Sequence, residues 1–159
     1  MRIKGIIDID LINYKLPCMT IEMPVCLNFK CDKECGKPVC QNSKLASEPT
    51  FNTKPESITE AYLTNDIVKA LCFQGLEPFD TFEEMKNLIA LLRSKQCWDD
   101  IVIYTGYNED ELTNQLAYLR PYRNIIVKFG RYIPNQEPHF DEVLGVNLAS
   151  DNQYAKRIS

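Results

Sequence analysis

The sequence predicts one α/β domain over residues 1–159, built on a mostly parallel sheet with flanking helices. Two observations carry that prediction. Short apolar runs of strand length alternate with segments of helical periodicity, and glycine-containing turns follow several of the strand candidates. Strand–helix alternation of this kind favours parallel strands joined by crossovers, with ligand-binding groups gathered at the strands' carboxyl ends.

Ile3 to Asp8 and Met19 to Val25 read as short strands, the second placing Ile21, Met23 and Val25 on one face. A cysteine-rich loop starts where that second strand ends. From Ser43 to Pro55 the chain is rich in Ser, Thr, Asn and Pro without periodicity and reads as a surface loop. Ser57 and Glu60 have capping-box spacing and predict a short helix running to about Asn65, ahead of an apolar strand over Val68 to Phe73. After a turn at Gly75 to Pro78, Phe82, Met85, Leu88, Ile89 and Leu92 recur at helical spacing behind the caps Asp80 and Thr81. The strand Ile101 to Tyr104 follows. Asp110 to Leu119 predicts a helix stopped by Pro121, and Ile125 to Val127 a last short strand.

Composition narrows the function classes. A net charge of -4 and a pI near 5.1 argue against nucleic acid as partner, because such binding rests on clustered Lys and Arg. No apolar run approaches the ~20 residues of a membrane helix. Met1 to Gly5 shows no secretory h-region, so the expected location is the cytoplasm. Seven cysteines in such a compartment point to metal binding or catalysis rather than to a disulfide framework.

Cys18, Cys26, Cys31, Cys35 and Cys40 lie close together in the chain, whereas Cys72 and Cys97 stand alone in apolar surroundings. Thiolates in a flexible loop can hold an iron-sulfur cluster or zinc, and unpaired structural cysteines are a third reading. None of the loop intervals is the C-x2-C knuckle of a zinc ribbon. Two further turns carry possible chemistry. In Gln74-Gly75-Leu76-Glu77-Pro78 a glycine allows close backbone approach to a ligand, and a carboxylate could accept from a ligand ammonium group. Tyr104-Thr105-Gly106-Tyr107 again puts glycine at a strand end, between aromatics. Each is equally readable as an ordinary turn or core closure. The single histidine, His139, sits in a Pro-flanked loop and reads as a surface residue, which leaves a Ser-His or Cys-His hydrolase hard to build.

In order and separation these motifs resemble the activating proteins of anaerobic class III ribonucleotide reductase, small members of the radical S-adenosylmethionine superfamily. The resemblance runs almost end to end. Cys40-Gln41-Asn42 looks like the close of the family's cysteine triplet, and Gln74 to Pro78 is similar to its Gly-Gly-Glu-Pro segment. Tyr104 to Tyr107 matches its Tyr-Thr-Gly-Tyr. Val127 to Ile133 with Leu144 to Gln153 resembles its glycine-containing strand and Gly-Ser-x-Asn-Gln tail. The chain departs from the family at three places: no three cysteines have the C-x3-C-x2-C spacing, Leu76 replaces a glycine, and Lys128 stands where an acid is frequent.

The resemblance implies a partial (β/α) barrel of the radical SAM type. It implies a 4Fe-4S cluster held by Cys26, Cys31 and Cys40, with Cys35 a spare thiol. The rival triplet is Cys31, Cys35 and Cys40. S-adenosylmethionine would bind against Asn42, Gln74, Gly75, Glu77, Tyr104, Thr105, Gly106 and Tyr107, with Glu77 near its ammonium group. The implied partners are a glycyl-radical protein such as anaerobic ribonucleotide reductase and an electron donor such as flavodoxin or ferredoxin. A non-catalytic zinc or iron-sulfur interaction module is the competing reading; it would account for the cysteines but leave the two glycine turns without a joint purpose.

Overall fold

The computed structural model describes residues 1–159. The chain forms β1 (Arg2–Ile3), β2 (Gly5–Asp10), β3 (Cys18–Met23), α1 (Lys30–Cys35), α2 (Ser43–Ser47), β4 (Phe51–Asn52) and α3 (Pro55–Leu63). It continues through β5 (Ala70–Gly75), α4 (Phe82–Ser94), β6 (Asp100–Tyr104), α5 (Thr113–Leu119), β7 (Ile125–Phe129), β8 (His139–Asp141), β9 (Val146–Leu148) and β10 (Tyr154–Arg157). Turns of 3-10 helix, Pro78–Thr81 and Glu109–Leu112, lead into α4 and α5.

Six strands make one mixed sheet in the order β10-β7-β6-β5-β3-β2. The four central strands are parallel, and both edge strands run antiparallel to their neighbours. The class is therefore α/β with a mostly parallel sheet and flanking helices. No helix is long and apolar enough to cross a membrane.

The sheet has two unlike faces. Ile21, Phe73, Ile103 and Val127 point to one, where they meet Met85, Leu88, Ile89 and Leu92 of α4 in the larger core. Those α4 positions follow the i, i+3, i+4, i+7 stripe that the sequence shows. On the other face Cys18, Ala70, Cys72, Val102 and Ile126 are covered by Tyr14, Leu144 and Leu148 rather than by a helix. Cys18 thus belongs with Cys72 in this second core and not with the cysteine loop. Because β5 and β7 are buried on both faces, their apolar runs do not alternate.

Several predicted boundaries are corrected. The first strand breaks at Lys4, whose ammonium group turns to the carbonyls of Ala46 and Glu48. The second strand ends at Met23, so Pro24 and Val25 separate it from Cys26. The Ser43 to Pro55 stretch is not all loop, since it contains α2 and β4, the latter paired with β1. Pro55 at the first helical position starts α3 upstream of Ser57, which is an interior residue rather than a cap. Thr81 makes no side-chain cap to α4. The real capping box is Asn108 with Glu111. His139 opens β8, half-buried, rather than lying in a surface loop.

The edge strand β2 leaves Ile7 and Ile9 about 40% exposed on either side of Asp8, and its pairing to β3 shifts register between Ile7 and Asp10.

Candidate functional site

At the carboxyl ends of the parallel strands, on the second face, lies a cavity of about 360 Å³, within the usual range of small-molecule sites. Three residues on the sheet itself reach it by register. Gln74 lies beyond Cys72 on β5, Tyr104 beyond Val102 on β6 and Lys128 beyond Ile126 on β7, each one pleat further along the same face. The layer below holds Thr20, Cys72, Val102 and Ile126, and the Thr20 hydroxyl donates to buried Asp10 at 2.6 Å.

All eleven residues singled out in the sequence line this one cavity: Cys26, Cys31, Cys40, Asn42, Gln74, Gly75, Glu77, Tyr104, Thr105, Gly106 and Tyr107. Cys35 does not. Cys31 and Cys35 sit one turn apart on α1, and that turn carries Cys35 about 6 Å along the axis, away from the lining.

Glu77 organises the strand-end turns. Its backbone N–H donates to Val25 O at 2.9 Å, tying the turn after β5 to the root of the cysteine loop. Its carboxylate accepts from the Thr105 hydroxyl at 2.7 Å, Gly106 N at 2.9 Å and Phe79 N at 3.1 Å. Burial pushes its carboxyl up to about 7, against the opposing effect of those three donors. A carboxylate offers about four lone-pair sites, so most of Glu77 is engaged within the protein. Its geometry is that of a clasp between two loops with one acceptor position to spare.

The glycines differ. Gly75 has φ +85°, and a Cβ there would lie 2.8 Å from Leu45 Cδ2 of α2, so this glycine is required by its backbone and by close approach. Asn42 donates to Gly75 O at 2.5 Å, joining the end of the cysteine loop to the same turn. At Gly106 a Cβ would enter open cavity, 3.7 Å from Glu77 Oε2 and 4.0 Å from Cys31 Sγ. The Tyr104 hydroxyl donates to Asn13 O at 2.5 Å, and that of Tyr107 to Asp80 Oδ1 at 2.7 Å. Both tyrosines therefore fix loops with their polar tips.

Backbone amides favour the thiolate at each candidate sulfur, those of Asn28 and Phe29 at Cys26, that of Tyr132 at Cys31 and that of Asn42 at Cys40. Phe29, with φ 39°, adopts the left-handed conformation uncommon for a non-glycine residue; it lies between Cys26 and Cys31 and lines the cavity. Burial pushes all three thiols up from the ordinary cysteine range, the amide contacts opposing it. The helix α1 is held in place by Arg131, whose Nε lies 2.9 Å from Glu34 and whose Nη2 lies 2.8 Å from Glu111.

The sulfurs share one cavity, yet no three His, Cys, Asp or Glu side chains converge on a single point. A tetrahedral ion holds all its thiolates about 2.3 Å from one centre. An iron-sulfur cluster binds successive thiolates through different iron atoms. Three cysteines lining one open cavity suit the larger group.

Sequence reasoning missed part of the lining. Ile12 and Asn13 come from the irregular segment after β2, which lies over the second face. Lys128 is buried, donates to Gly130 O at 2.9 Å and is held down to about 8 by burial, which Cys31 and Glu77 oppose. Its sequence signals were a lysine at the end of an apolar strand and its place where the resembled family frequently has an acid. The tail closes the wall, where Gln153 accepts from Ala149 N and Ser150 N at 3.1 and 3.2 Å and Asn152 donates to Arg131 O at 2.8 Å.

A family model described as a 4Fe-4S single cluster domain matches residues 25–151, from just before Cys26 to the tail. No match was found among curated proteins or among solved structures.

Proposed function

The chain belongs to the 4Fe-4S single cluster domain family, and from that premise we propose that it is a radical S-adenosylmethionine activating enzyme, an oxidoreductase that generates a glycyl radical on a partner protein. The observation that supports this reading most is the convergence of the three cysteines with both glycine turns on one cavity. A bare metal-binding module has no need of that cavity. The sheet face that carries it would serve as the inner face of a radical SAM partial barrel.

Cys26, Cys31 and Cys40 would hold the cluster. When bound, cluster and S-adenosylmethionine would supply the chemistry, reductive cleavage to methionine and a 5'-deoxyadenosyl radical that takes a hydrogen atom from a backbone glycine. The chain's own residues orient and enclose. Gly106 lets a ligand approach the backbone, Gly75 lets its turn pack against Leu45, Glu77 keeps the two turns together, and its spare acceptor position suits an ammonium group. Lys128 places a cation at the cavity floor. The partner would be a glycyl-radical protein such as anaerobic ribonucleotide reductase, and the electron would come from a flavodoxin or ferredoxin.

Anaerobic reconstitution with iron and sulfide tests this. The expected outcome is brown protein that forms 5'-deoxyadenosine from S-adenosylmethionine under reducing conditions. Cys26→Ala, Cys31→Ala and Cys40→Ala are expected to lose the cluster, and Cys35→Ala to keep it. Stoichiometric zinc without iron would refute the reading, and a cluster lost from Cys35→Ala but kept in Cys26→Ala would assign the rival triplet.

A further inference from the structure

The interval between Cys31 and Cys40 is long for two thiolates that serve one site, and residues 33–38 between them carry charge, a cysteine and a proline. The structure brings the two ends of that interval together. Asp32 Oδ1 accepts from both Val39 N and Cys40 N at 2.7 Å. The Asp32 carbonyl accepts from Lys37 N at 3.2 Å, and Gly36, at φ +65°, ends α1 in the left-handed conformation. The chain therefore leaves at Asp32 and returns at Val39. What lies between is an excursion that is exposed apart from half-buried Cys35. With the excursion set aside, only Asp32 and Val39 separate Cys31 from Cys40, the short C-x2-C separation by which neighbouring thiolates serve one metal group.

We infer that Asp32 is the positioning residue of the cysteine loop: one carboxylate oxygen clamps the amides of Val39 and Cys40, seats Cys40 beside Cys31 and turns residues 33–38 away from the cavity. This rests on the reading of Cys26, Cys31 and Cys40 as cluster ligands. The two bonds share Oδ1, so an amide oxygen can replace it, and charge is separable from geometry. Asp32→Asn keeps the acceptor, so it should hold the cluster as well as the native chain. Asp32→Ala removes the acceptor and should hold it worse.

The test uses the full chain as wild type, Asp32→Asn and Asp32→Ala. Iron and sulfide content and the electron paramagnetic resonance of the reduced cluster are measured after anaerobic reconstitution. In metal-free protein, the alkylation rate of each thiol by iodoacetamide is followed by mass spectrometry, with buried Cys18 and Cys72 reporting that the fold is intact. Wild type and Asp32→Asn are expected to give the same full cluster signal, and Asp32→Ala a depleted or altered one. Losing two charge-assisted bonds should speed Cys40 alkylation by about tenfold or more while Cys26 stays unchanged. Amide hydrogen exchange on the wild type needs no variant; Val39 and Cys40 should be protected in an otherwise exposed loop.

A loaded Asp32→Ala with the wild-type signal would overturn the inference, as would Asp32→Asn failing like Asp32→Ala, unprotected amides at 39 and 40, or equal acceleration of all loop thiols. A wild type that takes up no iron refutes the ligand assignment instead, and the exchange and alkylation measurements still decide the clamp.

Discussion

Glu77 should make the metal-free protein less stable as pH rises through neutrality. Its carboxyl moves from an ordinary 4.5 to about 7, chiefly through burial. Folding thus raises the pKa, and the native state retains a proton that the unfolded chain releases. The stability from this group is complete below 4.5 and is lost as pH climbs through 7. At about 1.36 kcal/mol per unit, the shift corresponds to about 3 kcal/mol, about three quarters of it lost between pH 5 and pH 8. The groups facing the carboxyl are Thr105, Gly106, Phe79 and Asp80, together with Lys128, which is held down to about 8 and so changes charge over a higher range. Glu77→Gln removes the titration. It also leaves Gly106 N–H without its acceptor, a pH-independent cost of about 1 kcal/mol. Urea unfolding of both proteins at pH 5, 6, 7 and 8 separates the two effects. Wild-type stability should fall relative to Glu77→Gln by about 2–3 kcal/mol from pH 5 to pH 8. Parallel profiles would show that Glu77 is not protonated in the folded state and would refute the argument.

The two glycine turns should respond oppositely to alanine. Gly75→Ala forces a side chain into a left-handed position against Leu45 and should cost about 2 kcal/mol or more in urea unfolding. Gly106→Ala meets only ordinary contacts, so stability should change by less than about 0.5 kcal/mol, while under the proposed function the methyl group beside Cys31 should weaken S-adenosylmethionine binding in a titration. Arg131→Met removes the ion pairs to Glu34 and Glu111. Amide exchange of residues 30–36 should then quicken by about tenfold, with the central strands unaffected.

The sequence was most legible where burial leaves a local imprint. The apolar runs of β5 and β7 and the stripe of α4 declare themselves because each is packed against the core along its length. The candidate site was legible as residues but not as geometry: both glycine turns and the cysteines could be named, yet only register and turn conformation show that they share a wall. What escaped was held by distant partners. The helix α1, only six residues long, is too short to persist alone, and its anchors Arg131 and Glu111 lie far along the chain. The strand β10 is short and mostly polar and is defined by its pairing with β7 rather than by any pattern of its own. Cys18 is near the other four cysteines in sequence, whereas β3 turns it to the opposite end of the face, beside Cys72.

The edge strand β2 bears on association through the rim of the sheet. A strand at the rim of a sheet offers unpaired amides and carbonyls to any similar strand, and isoleucines flanking them would make such association adhesive. Here Asp8 interrupts Ile7 and Ile9, and the register shift before Asp10 bends the rim out of the flat shape that stacking demands. Asn65 also occupies the Asp8 carbonyl at 3.2 Å. Charge, curvature and a borrowed amide together act as gatekeepers against fibrillar aggregation, so this rim can expose two isoleucines without becoming a template for other chains.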